Sequence, residues 1–239
     1  MAAALALALA VGRCVGSADP GTFTVVVDPG HGGRDRGAFS TSAGRAEKEA
    51  SLAIARRVAA RIARRGDVRV VLTRNDDRYL SLVARRSIIQ SCRANLAVSI
   101  HADSGPADAS GASVFVLNEA GEAIVAGRMA LAARSLDADA DTAYILANLQ
   151  QRASINYAIP IALRIRAGIG GRDRADERPS SANFALLKAP GVPSILVECG
   201  FLTNARDSAR LFGDDGQDAI ARAIADPILR EAKAYGRGT

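Results

Sequence analysis

Histidine and aromatic residues are scarce in this chain. Its 239 residues include two His, no Trp, six Phe, four Tyr and three Cys. So few rings leave little to stack on bases, and the arginines are scattered through helical stretches such as ARRVAARIARR, without a dense basic tail. Nucleic acid is therefore not an expected partner. No CxxC pair occurs, so a zinc site here has to use histidine and carboxylate. Neither Gly-rich segment, GHGGRDRG or GIGGRDR, has the GxxxxGK[ST] or GxGxxG spacing of a phosphate loop. No GxSxG elbow is present, which argues against a serine hydrolase. Internal repeats and low-complexity tracts are also missing, and 49% hydrophobic content suffices for one compact domain.

The cysteines are Cys14, Cys92 and Cys199. Residues 2–11 form an Ala/Leu/Val run, the length of a signal-peptide core and too short to span a bilayer. Gly16, Ser17 and Ala18 offer a cleavage site. Residues 1–18 are expected to be a signal peptide, truncated at its basic start, and 22–237 the functional domain. On this reading the protein is exported to the periplasm or cell-wall space, without stable membrane insertion. Cys14 leaves with the signal, and Cys92 and Cys199 are buried small hydrophobes. The formal charge of +6 suits an anionic polymer outside the cytoplasm.

Apolar β-branched runs predict strands at 23–28, 68–74, 96–100, 111–117, 183–188 and 193–198. Helical periodicity predicts helices over 47–66, from Ser81 to about 94, over 119–135, over 141–167 with an interruption at Pro160, and over about 216–235. Residues 168–182 read as loop. Strands alternating with helices predict an α/β fold, a single domain with a mixed, mostly parallel β-sheet covered by helices on both faces.

Both histidines sit just past an apolar run. His31 closes TFTVVVDPGH and His101 closes NLAVSIH; a third run, VPSILVECG, ends in Glu198. Ligands bind at the carboxyl ends of strands in α/β sheets. Two imidazoles and a carboxylate there point to a metal-assisted hydrolase. Glu198 fits a general base. Asp28, at the end of VVVD, is expected to orient a ligand through a hydrogen bond. Glu47 and Glu49 both open the first long helix, and spacing alone does not choose between them as a third ligand.

The segments VVVDPGHGGRDRGA, EKEASLAIARR, VVLTRNDDRYLSLVARRSIIQ, LAVSIHAD and NFALLKAPGVPSILVECGFLTN, in this order, resemble the zinc-dependent N-acetylmuramoyl-L-alanine amidases, the cell-wall amidases of type 3. The resemblance covers residues 24 to about 235. It implies one Zn2+ per chain held by His31, Glu47 and His101, with Glu198 catalytic, and so selects Glu47 over Glu49. It implies peptidoglycan as the partner and cleavage of the amide between N-acetylmuramic acid and L-alanine. A zinc peptidase cutting within the stem peptide and a non-catalytic wall-binding module are the alternatives. The sequence leaves room for an activator protein without implying one. Helices 119–135 and 141–167 are expected to cover the sheet rather than the site. Glu119, Glu122 and Asp137 are the acids that would reach the metal if they folded over it.

Overall fold

The computed structural model describes residues 10–11, 14, 21–134, 139–170 and 179–236. In chain order its elements are β1 (Ala10–Val11), β2 (Phe23–Pro29), β3 (Phe39–Ser40), β4 (Arg45–Ala46), α1 (Glu47–Ala63), β5 (Val68–Leu72), α2 (Leu82–Ser91), β6 (Leu96–Asp103), β7 (Ser113–Leu117), α3 (Glu119–Arg134), α4 (Ala140–Ile169), β8 (Ser180–Ala182), a 3-10 turn at Leu186–Lys188, β9 (Ser194–Phe201), α5 (Ala205–Phe212) and α6 (Asp214–Tyr235). Seven strands form one sheet in the order β1-β5-β2-β6-β9-β7-β8. Strands β5, β2, β6 and β9 run parallel, and β7 is antiparallel to β9. The expected mixed, mostly parallel α/β sheet is what the chain forms.

Alternation along the strands assigns the two faces. Val25, Val27, Leu96, Val98, Ile100, Ile195 and Val197 join Ile54, Val58, Ile161, Ile165 and Ile224 in one core, under α1, α4 and α6. Val26, Val71 and Ala97 point the other way, onto Ile88 and Ile89 of α2 and onto Leu186. Leu196 packs with Val125 of α3 and Leu187. Both faces are covered, and β2, buried along its whole length, reads as an unbroken apolar run for that reason.

Several local expectations differ from the structure. Residues 183–188 are not a strand. Leu186 and Leu187 are both buried, in two neighbouring clusters on one side of the sheet, through a 3-10 turn. A strand would have sent them to opposite faces. Pro160 does not interrupt α4; it lies on the exposed side, next to exposed Asn156, so water can serve the carbonyl it leaves unbonded. The short β8 and α5 were not anticipated. Ser81 does cap α2, accepting from the Ala84 amide.

The cysteine reading needs correction. Cys14 and Cys92 form a disulfide, and only Cys199 is a free buried thiol. Ala10 and Val11 pair with Val71 and Leu72 at the sheet edge. Cys14 therefore belongs to the folded unit, and cleavage after Ala18 would discard the bridge. Residues 1–9 and 15–20 lie outside the described residues. No helix among the described residues is long and apolar enough to cross a membrane.

The bridge closes a sequence separation of 78 residues. Protein that retains Cys14 should lose about 2–4 kcal/mol of stability on reduction or in Cys92→Ser. Thermal unfolding with and without reductant checks this; coincident curves would show that the bridge does not form.

Candidate metal centre

The site lies where the chain reverses its progress across the sheet. From β2 the chain moves outward to β5, then returns past β2 to β6. The crevice at the carboxyl ends of β2 and β6 is thus a topological switch point. His31 follows β2, His101 ends its apolar stretch on β6, and Glu47 opens α1. One ligand atom from each lies within 4.8 Å of the others.

Glu47 is the hub. Its Oε1 lies 3.0 Å from His31 Nε2 and 2.9 Å from His101 Nδ1. The Ala102 amide donates to Oε1 and the Ala38 amide to Oε2. The Glu47 amide in turn donates to the Ala38 carbonyl. Burial pushes the Glu47 carboxyl up, but the hydrogen bonds with His101 and His31 outweigh it and hold the carboxyl far below its ordinary range. His31 is raised: burial lowers it, while the Glu47 and Asp35 carboxylates together raise it more. Glu49, two residues on, is 42% exposed and is spent on the Ala46 amide and Arg45. Geometry therefore separates the two acids that spacing left tied.

His31 Nδ1 bonds Asp35 Oδ1 at 2.8 Å, which turns Nε2 toward the trio. Sequence reasoning missed Asp35; its only signal was an acid four residues after a strand-end histidine. Asp28, the residue expected to orient a ligand, bonds no imidazole. It is buried and accepts from Thr73, Ser99 and Arg85. The glycines do more than allow a turn. A Cβ on Gly30 would lie 2.4 Å from His101 Cε1, and one on Gly37, whose φ is 64°, would lie 2.5 Å from Glu47 Oε2.

Glu198 is the register partner of His101 on the adjacent parallel strand, so the two side chains share a face. Its Oε2 is sealed from solvent and has no hydrogen-bond partner, alone in this among the described side chains. Burial, opposed by His101 and reinforced by Glu47, pushes its carboxyl up to about 7. Native proteins rarely leave such an atom unsatisfied without a functional reason.

The donor set fits zinc. Two imidazoles and one carboxylate are the protein share of a catalytic site that keeps a further position open. The hydrogen bond that His31 Nδ1 donates to the Asp35 carboxylate matches the support that such ligands require. Glu198 stands in register with His101, near enough for His101, Glu47 and His31 to act on its charge, and its Oε2 lacks a partner in the protein. The start of α3 agrees with the expectation that these helices stay off the site, although residues 135–138 lie outside the described residues. β7 runs antiparallel to β9, so α3 leaves from the opposite end of the sheet, where Gln151 of α4 accepts from the Gly191 amide ahead of β9. Glu122 pairs with Arg152, and neither Glu119 nor Glu122 joins the trio. Asp137 lies outside the described residues.

Fold and site together define an α/β protein with a His/Glu/His trio and, on the adjacent strand, a half-buried carboxylate with one sealed, unpartnered oxygen. A family model described as N-acetylmuramoyl-L-alanine amidase matches residues 25–230, and the chain belongs to that family. AmiC of Escherichia coli is 32% identical over 224 residues, covering 89% of this chain and 52% of AmiC. AmiA of Escherichia coli is 34% identical over 227 residues, covering 87% and 76%. The catalytic domain of CwlV from Bacillus (Paenibacillus) polymyxa superposes with a TM-score of 0.67 at 28% identity, covering 88% of this chain and 98% of that domain. The chain thus spans about half of AmiC and nearly all of the solved catalytic domain.

Glu47→Gln should abolish stoichiometric zinc binding, whereas Glu49→Gln should leave it intact and cost at most about 1 kcal/mol of stability. Metal analysis after dialysis, with thermal unfolding, checks both. Zinc retained by Glu47→Gln and lost by Glu49→Gln would reverse the assignment.

Proposed function

We propose that this chain is a zinc-dependent N-acetylmuramoyl-L-alanine amidase that hydrolyses the amide joining the lactyl group of N-acetylmuramic acid to the stem peptide's L-alanine. The observation that carries the reading is the convergence of His31, Glu47 and His101 beside the unpartnered carboxylate of Glu198, in a chain of this family. His31 would present Nε2 and His101 Nδ1 to the metal, since those nitrogens face Glu47. Bound zinc would supply Lewis acidity, polarising the amide carbonyl and acidifying water.

The remaining chemistry belongs to this chain's residues. Glu198, ionised, accepts a proton from the attacking water. Its raised pKa lets it hold that proton near neutrality and then deliver it to the departing L-alanine nitrogen. Glu47 stays charged throughout, because its hydrogen bonds outweigh its burial. Asp35 holds His31 in one ring orientation. Export to an oxidising compartment, periplasm or cell-wall space, is supported by the Cys14–Cys92 disulfide. A formal charge of +6 favours encounter with polyanionic peptidoglycan, less so at high salt.

Purified peptidoglycan digested by the zinc-loaded chain should release peptides that begin with L-alanine, with no new reducing sugar ends. Internally cut peptides would make it a stem peptidase; no release would leave a wall-binding module.

Glu198→Gln should retain zinc and lose turnover by on the order of a hundred- to ten-thousand-fold. In the native chain kcat/KM should rise with pH as Glu198 ionises. Burial raises this group to about 7 and a bound cation lowers it, so the midpoint should fall at or below about pH 7. Near-normal turnover in Glu198→Gln, with the same pH rise, would make Glu198 structural.

A further inference from the structure

Two arginines of the VVLTRNDDRYLSLVARRSIIQ segment are buried behind the metal trio, and the hydrolytic reading gives them no role. Their donors converge on three successive carbonyls of the loop that carries His31. Pro29 O accepts from Arg85 Nη1 at 2.6 Å and from Arg74 Nε at 3.1 Å. Gly30 O accepts from Arg74 Nη2 at 2.6 Å and from Ser51 Oγ at 2.8 Å. His31 O accepts from Arg85 Nη2 at 2.5 Å.

His31 needs such a hold. Its φ is 59°, in the left-handed region. That conformation is sterically disfavoured for a non-glycine residue and persists only where the surroundings enforce it. Arg85 is itself fixed. Its Nε donates to Leu80 O at 3.1 Å, and its Nη1 donates to Asp28 Oδ1 at 2.8 Å. Asp28 is held in turn by Thr73 Oγ1 at 2.5 Å and Ser99 Oγ at 2.9 Å. The side chains of Arg85 and Asp28 are 4% and 2% exposed. A planar guanidinium spreads donors over three nitrogens and can serve Leu80, Asp28, Pro29 and His31 together; an ammonium offers one point and cannot.

We propose that Arg85 is a positioning residue for His31. Anchored by Asp28, it clamps the His31 carbonyl, maintains the left-handed backbone, and aims the imidazole at Glu47 and His101 before any metal arrives. Asp28 thus acts on the ligand through Arg85 and the backbone, not by touching an imidazole. The proposal rests on the reading of His31 as a zinc ligand.

Hydrogen exchange on the wild-type chain tests the clamp without a variant. The Gly30 amide donates to Ile100 O and the Gly32 amide to Asp35 O, on either side of His31. Both should be equally protected in metal-free and zinc-loaded protein; protection that appears only with zinc overturns the proposal. Arg85→Lys, measured by chelator competition on folded protein, should bind zinc ten- to a hundredfold more weakly. Arg86→Lys should not, since Arg86 lies on the same helix and donates to Ala185 O instead. Unchanged zinc affinity in Arg85→Lys, with the wild type binding normally, overturns this proposal alone. A wild-type chain that binds no zinc overturns it together with the ligand assignment. If Arg85→Lys does not fold, the exchange measurement decides.

Discussion

Taking the Glu47 carboxylate out of water costs several kcal/mol, and the rest of the site is arranged around that cost. The carboxylate is 5% exposed, opens α1 where the helix dipole favours negative charge, accepts from two backbone amides, and lies against two imidazole nitrogens. The partners come in two pairs: His31 and Ala38 from the one loop between β2 and β3, and His101 and Ala102 from the end of β6. The charge therefore ties together segments far apart in sequence. The same contacts keep Glu47 ionised, as a metal ligand has to be.

Glu198 has the opposite environment. It stands in register with His101 but has no hydrogen bond for Oε2, so burial raises its carboxyl where hydrogen bonding lowers that of Glu47. Two carboxylates whose environments push their pKa values apart take separate roles, one permanently charged and one able to exchange a proton near neutrality. The separation is a product of topology. Glu47 arrives on a helix N-terminus among amide donors, while Glu198 arrives on a strand whose own amides are committed to the sheet.

How much of this was legible in the sequence follows from how local each cause is. His31, His101 and Glu198 stood out because apolar β-branched runs mark buried strands, and such runs rarely end in titratable residues. Glu47 was legible as a helix-opening acid, but its distinction from Glu49 came from the family resemblance, because both acids satisfy the same local rule. The α5 helix and β8 are too short to carry a periodic signal. Leu186 and Leu187 mimicked a strand because two adjacent apolar residues look alike in a strand or a tight turn. Arg74 and Arg85 were invisible as site residues, since arginine is ordinarily exposed and their acceptors are carbonyls tens of residues away. Cys14 and Cys92 were not legible as a pair because the apolar run at 2–11 reads as a signal-peptide core and takes Cys14 with it.

X-ray absorption at the zinc edge of the loaded chain tests the central claim most directly, because it reports the ligand atoms without reference to activity. The account predicts nitrogen and oxygen neighbours at about 2.0–2.2 Å, with the multiple-scattering signature of two imidazoles and no sulfur. A single imidazole, or a sulfur neighbour near 2.3 Å, would contradict the assignment of His31, Glu47 and His101 as the metal centre.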